Sequence, residues 1–357
     1  MKRLLLPLML LAACSVTNVD EPILGTFEVD PVQLLRNGQK MAGNADFVVE
    51  HANFRYQFAS AATRDEFLAD PTAFEIQLGG GCGRMGALSG TGRTDLFTVH
   101  DGQLFVFASA QCAATFKRDP SKVLEPSYES APKTTTATLQ RGRDLVDLAV
   151  AWLGGAEKLD RAVMQFSQEE WIDWEGKKRR SASFLVIAPN ESLRSDSIWD
   201  GQARSQVATA GSAYFVAPET GTRTMQPAQR IAMERKRQRN VLALMQSRNA
   251  DGFIASADGR VVLGGAKRVY IWYRGMNHAV DIHPQSGQVL RHSFVGWGPQ
   301  ASIGNIEQTY TNWTTRNGVK IPVAWDSRFD GVKGASKDLL ADGYQIEIVD
   351  SVPAGTF

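Results

Sequence analysis

From residue 163 onward, short runs of alternating apolar and polar residues are separated by glycine turn signals, and this pattern limits the fold more than any other feature. Strand patterns cover residues 163–174, 179–188, 192–199, 204–208 and 213–217, then 268–274, 277–282, 288–295, 306–313, 320–329 and 343–349. Glu175-Gly176-Lys177, Asp200-Gly201, Ser286-Gly287, Asn317-Gly318 and Asp330-Gly331 mark turns among them. Successive residues of a strand point to opposite faces, so period-two runs with tight turns predict sequential antiparallel pairs, a meander. One helical stretch interrupts it. Over residues 226–248, Ile231, Val241, Leu242 and Met245 form an apolar stripe. Arg230, Arg235, Lys236, Arg237 and Arg239 form a basic face, read either as solvated or as turned toward anionic lipid headgroups. Ahead of the strands, residues 139–160 read as helical. Leu145, Leu148, Ala149 and Trp152 share one side, and Gly154-Gly155 ends the first stretch.

The first part of the chain has a different make-up. All eight Trp lie at or beyond Trp152. Residues 125–138 are polar, carry Pro126 and Pro132 and follow neither period, which predicts a linker. At the start, Lys2 and Arg3 precede an apolar run that ends in Leu11-Ala12-Ala13-Cys14. This is the pattern of a secretory leader, too short for the roughly 20 residues that span a bilayer. Its ending resembles a bacterial lipobox. That resemblance implies that residues 1–13 are a signal peptide and that Cys14 carries acyl chains. It also implies, with Ser15 following, an outer-membrane lipoprotein facing the periplasm. Residues 14–25 would be the lipidated tether. The net charge of +1 supplies no field that would draw nucleic acid.

Between tether and linker the sequence repeats itself. Residues 47–71 and 97–120 each contain Phe-Ala-Ser, an amphipathic stretch, a Phe and a closing Asp-Pro. Each copy reads as a hairpin followed by a helix, with Ser60 and Ser109 as N-caps. Alignment on Phe47 and Phe97 needs a single-residue gap and leaves His51 and His100 one position out of register, as surface hairpin residues. Val29-Asp30-Pro31-Val32, Phe58-Ala59-Ser60, Phe67-Leu68-Ala69-Asp70-Pro71 and Gly79-Gly80-Gly81-Cys82 resemble the YHS domain. In its metal-handling members Cys follows Asp-Pro-Val, whereas Gln33 stands there in this chain. Cys82 and Cys112 admit three readings: a disulfide, two buried thiols, or half of a tetrahedral metal set. Gly81-Cys82-Gly83-Arg84-Met85-Gly86 fits G-x-G-x-x-G, but the Ala-Leu-Ser-Gly-Thr-Gly that follows will not hold the helix this fingerprint needs.

The second part resembles the Lol-type lipoprotein carriers. The likeness is carried by Leu153-Gly154-Gly155-Ala156-Glu157-Lys158-Leu159, by Asp281-Ile282-His283-Pro284-Gln285-Ser286-Gly287 and by Asn317-Gly318-Val319-Lys320-Ile321-Pro322. It implies a half-open barrel, plugged by helices, whose apolar concave face takes acyl chains. Trp171, Trp174, Trp199, Trp272, Trp297, Trp313 and Trp325 lie on or beside predicted strands, either as pocket walls or as core under the helix. His278, Asp281 and His283 spell H-x-x-D-x-H, but Asp281 to Gly287 reads better as a hairpin than as a metal site. No nucleophile stands beside a base, so no catalytic residue is assigned.

The fold class expected is therefore α+β. A small duplicated ββα domain (residues 26–124), a linker (125–138) and an antiparallel half-open β-barrel with plugging helices (139–357) follow the leader. The function expected is an envelope lipoprotein that binds a lipid or hydrophobic ligand and is not an enzyme. The first domain would serve as an interaction or sensing module for an envelope partner, and no cofactor is implied. The alternative is metal or redox handling through Cys82 and Cys112.

Overall fold

The computed structural model describes residues 21–126, 130–174 and 176–357; the leader and Cys14 lie outside them. The N-terminal module opens with β1 (Gly25–Phe27) and α1 (Pro31–Asn37). The hairpin of β2 (Asn44–His51) and β3 (Phe54–Phe58) follows, then α2 (Ala61–Ala69). A second hairpin, β4 (Arg93–His100) and β5 (Gln103–Phe107), leads to α3 (Ala110–Arg118).

The hairpins and helices of the two copies make equivalent pairings at one constant residue spacing, which corrects the gapped alignment. His51 faces Phe54 across the first turn as His100 faces Gln103 across the second. Each hairpin carries the same bulge, between Asn44 and Val48 and between Arg93 and Phe97. Leu96, not Phe97, is thus the counterpart of Phe47, and His51 and His100 are equivalent. Both rings stand edge-on at 5.7 Å to the central Phe67 or Phe116. Ser60 and Ser109 cap the helices by accepting from the N–H groups of Thr63 (3.3 Å) and Cys112 (3.2 Å).

The duplication also reaches the segment before each hairpin. Val29 bridges Ala42 as Gly81 bridges Thr91. The N–H of Ala59 donates to Asp30 Oδ2 at 2.8 Å, and that of Ala108 to Cys82 Sγ at 3.4 Å. Asp30 also caps α1 by accepting from Val32 and Gln33. Cys82 therefore occupies the place of a buried carboxylate. No helix follows Gly86, in keeping with the rejected nucleotide fingerprint.

The rest of the chain begins with α4 (Thr136–Leu153) and α5 (Ala156–Arg161). A first meander contains β6 (Val163–Trp174), β7 (Lys177–Ile187), β8 (Leu193–Trp199), β9 (Gln202–Ala208), β10 (Ala213–Ala217) and β11 (Gly221–Thr224). Then come α6 (Pro227–Gln238) and α7 (Val241–Gln246). The second meander contains β12 (Ile254–Ser256), β13 (Lys267–Tyr273), β14 (Met276–Ile282), β15 (Val289–Trp297), β16 (Ile303–Arg316), β17 (Val319–Phe329) and β18 (Val332–Asp338). The last strand, β19 (Gln345–Val349), returns to the free edge of β6.

Two open seven-stranded antiparallel sheets result, ordered β11-β10-β9-β8-β7-β6-β19 and β12-β13-β14-β15-β16-β17-β18. The crossing from β18 to β19 ties one pair of sheet edges, while α6 and α7 link β11 to β12 on the other side. The protein is thus α+β, strand-rich, with sheets that do not close on themselves. In these two sheets three strands lack a pattern in sequence: β11 and β12 are very short, and β18 is almost wholly exposed.

Inner-face residues of both sheets share one core with α4 and α7. At one end α4 sits hard against the second sheet. A Cβ on Gly142 would lie 2.4 Å from the carbonyl of Ala255, and one on Gly287 would lie 2.1 Å from that of Leu148. Leu153, Leu159, Val280, Ile282 and Val289 are fully buried there.

The basic face of α6 is not solvated, a correction to one reading of its charge. Arg235 and Arg237 are buried. Arg235 and Arg239 clamp Glu125, at 2.8 and 3.0 Å, and Trp297 Nε1 donates to the same carboxylate at 2.8 Å. Arg237 donates to Ser247 Oγ (3.1 Å) and to the Ala188 carbonyl (3.2 Å). Burial pushes the Glu125 carboxyl up, but Arg239 and Arg235 outweigh this and hold it below the usual carboxylate range. The expected linker thus begins on a residue that fastens the N-terminal module to α6. Gln229 Nε2 and Gln206 Nε2 add hydrogen bonds to the carbonyls of Gly79 and Leu88.

Candidate functional site

The inner faces do not meet everywhere. Beside α6 they leave a cavity of about 250 Å³. Strand alternation explains most of its walls; Ile321 and Pro322 both line it because the register between β16 and β17 shifts there. Phe166 on β6, Leu185 and Ile187 on β7 and Leu193 on β8 form the side of the first sheet. Phe294 on β15, Tyr310 on β16 and Ile321, Pro322 and Trp325 on β17 form the other. Val241 of α7 and Leu339 complete the apolar lining. Four polar residues interrupt it: Lys236, Arg239, Asn240 and Gln308.

Lys236 is the chemically distinctive member. It leaves α6 toward the first sheet, and its ammonium donates to Ser195 Oγ (2.8 Å) and Gln206 Oε1 (3.3 Å). Both acceptors are neutral. Burial alone lowers its pKa to about 8, so the group is still charged at neutral pH. Arg239, on the same wall, is held by Glu125 and by the Val295 carbonyl at 3.2 Å. Burial also pushes the Tyr310 hydroxyl above its ordinary range.

Next to Phe294 the sheet buries two imidazoles. His278 on β14 and His292 on β15 stack with centroids 5.2 Å apart, and His278 Nδ1 and His292 Nε2 lie at hydrogen-bond distance, 3.1 Å. His278 Nε2 and His292 Nδ1 have no partner among the described residues. Burial, reinforced by Arg239, lowers His278 to about 3. Burial, with His278 adding to it, puts His292 well below the ordinary range. Both rings are therefore neutral at neutral pH. No spacing within one strand signals this pair, because it forms across β14 and β15.

The residues of H-x-x-D-x-H are not brought together. Asp281 is buried with Arg268 and Arg291, at 2.8 and 2.7 Å, while His283 Nδ1 lies 3.1 Å from Ser286 Oγ in the turn. Of the seven Trp singled out, Trp325 lines the cavity. Trp171 is 67% exposed. Trp199 closes its hairpin opposite Gln202, and Trp272 stands opposite Asn277. Trp297 seals the joint with the N-terminal module, and Trp313 packs edge-on against Trp152 at 4.8 Å. The side chain of Trp174 is outside the described part.

Cys82 and Cys112 are free thiols in neighbouring positions. Cys82 is buried, and Cys112 is half-buried in the first turn of α3. Burial pushes the Cys112 thiol up, but Ser109, Arg84 and Cys82 outweigh it and hold it below the usual thiol range. His51 pairs with Glu75 at 2.8 Å, and His100 lies 3.4 Å from Asp101. Among the described residues, no group of three or more His, Cys, Asp or Glu converges as a metal site would require. Nor, among them, is any helix long and apolar enough to cross a membrane.

No protein-family model matches the chain, and no curated protein matches it by sequence. Among solved structures it is similar to a DUF1329 family protein from Desulfovibrio piger, at 12% identity and a TM-score of 0.32, over 59% of this chain and 90% of that one. It is also similar to an outer membrane lipoprotein-sorting protein domain from Vibrio parahaemolyticus, at 9% identity and a TM-score of 0.30, over 59% and 90%. A LolA superfamily protein from Nitrosomonas europaea matches at 10% identity and a TM-score of 0.33, over 57% and 94%.

Proposed function

We propose that this protein is a cell-envelope lipoprotein that holds a hydrophobic or lipid ligand between its two sheets. In this reading the C-terminal part works as a half-open barrel of the Lol type. Cys14 anchors it in the outer membrane, facing the periplasm. The YHS-like N-terminal module serves interaction or sensing, and the protein is not an enzyme. The observation that supports the reading is the cavity of about 250 Å³ with its aliphatic and aromatic walls. Apolar walls with a few placed polar groups are the usual make-up of a small-molecule site. Fluorescence titration with N-phenylnaphthylamine tests it. Binding with enhanced emission, lost in Leu185→Trp, is expected; an unresponsive folded protein would refute the reading.

A second reading attaches to the thiols, because a half-exposed Cys112 of lowered pKa lies beside a buried Cys82. With a disulfide oxidant, the Cys112 thiolate attacks one sulfur, forms a mixed disulfide and releases one thiolate. Cys82 then gives its proton to solvent and displaces the second thiolate. The Cys pair loses two electrons and the oxidant gains them. Mass spectrometry after oxidised glutathione should find the Cys82–Cys112 pair short of two hydrogens. A lasting adduct on Cys112, with Cys82 reduced, would exclude it.

A further inference from the structure

We infer that the ligand is an amphiphile with an anionic head, a fatty carboxylate, whose head pairs with the Lys236 ammonium while its chain lies among the cavity walls. The inference rests on the cavity reading and adds a ligand class to it. An apolar ligand alone gives no reason for a cation here. Placing an ammonium in such surroundings is unfavourable unless a counter-charge meets it. The ammonium has three N–H donors. Two of them meet neutral oxygens, and burial is the one influence that shifts its titration. The charge therefore lines a mostly apolar space, and among the described residues no carboxylate pairs with it.

The surrounding residues hold it there. Leu185, Ser195, Gln206 and Phe215 stand directly opposite one another across β7, β8, β9 and β10, one cross-strand row on the inner face. Ser195 and Gln206 are its polar middle. The Gln206 amide could present either end to Lys236. Its nitrogen is engaged by the Leu88 carbonyl of the N-terminal module at 3.0 Å, which turns its oxygen to the ammonium. The module thus acts through Gln206 as a positioning element for the cation. The cavity's volume suits a single chain of medium length and a compact head.

The test compares decanoate, decanol and decyltrimethylammonium, below their micellar concentrations, by calorimetry on the folded protein and on Lys236→Met and Lys236→Arg. Decanoate is expected to bind at least about tenfold more tightly than decanol, with the cation weakest, since tenfold is 1.4 kcal/mol. The preference should vanish in Lys236→Met, with decanol affinity kept, and return in Lys236→Arg. Equal affinity for decanoate and decanol, or a preference that survives in Lys236→Met, overturns the inference and leaves the cavity reading intact. Binding of none of the three overturns both.

Discussion

The two ends of the space between the sheets are built differently. Under α4 the sheets meet through aliphatic side chains and a helix so close that Gly142 and Gly287 admit no Cβ. Beside α6 the sheets leave a cavity lined in part by Lys236 and Arg239, and behind its Phe294 wall the second sheet buries the His278–His292 pair. A core that only stabilises has no use for such groups, since each buried polar atom costs free energy unless it is paired. The contrast teaches that the fold is held at one end and left available at the other.

The largest expected difference is in truncation. Leu153→Ala, at the packed end, should lower stability by about 2–5 kcal/mol in chemical denaturation. Leu185→Ala enlarges an existing cavity and should lose less than about 2 kcal/mol, while weakening N-phenylnaphthylamine binding. Equal losses at both ends would erase the contrast.

Acid titration sharpens it. The folded-state pKa of both imidazoles lies below the unfolded value, so the unfolded chain takes up protons that the folded chain refuses. Their contribution is complete above the ordinary imidazole value of 6.5 and is lost as pH falls below it, for His278 down to about 3. Each ring accounts for up to about 1.4 kcal/mol per pH unit. His292→Phe should flatten the stability profile in this window. A profile unchanged by that substitution would show that the pair is not buried neutral.

The smallest effect on stability belongs to Leu185→Trp, which fills space already empty. Its unfolding free energy should stay within about 1.5 kcal/mol of the parent's while ligand binding disappears. Loss of folding together with binding would mean that the cavity is smaller than described.

The strands were legible because period two and glycine turns are local signals. Residues 163–174 and 320–329 match β6 and β17 almost to the residue. The charges of α6 were misleading for the opposite reason. Arg235 and Arg239 look solvated until Glu125, more than a hundred residues earlier, is brought against them. The His pair depends on the register between β14 and β15, which no spacing in one strand reveals. The repeat was visible, but Phe47 and Phe97 made a false anchor, and the constant spacing of Phe-Ala-Ser and Asp-Pro was the better guide.

A crystal structure with ω-bromodecanoate addresses the central claim most directly, because bromine marks the chain end by anomalous scattering. The account predicts a bromine peak between the sheets, within contact of Phe166, Tyr310 or Ile321. A peak confined to the protein's surface, with the cavity unchanged, would contradict it.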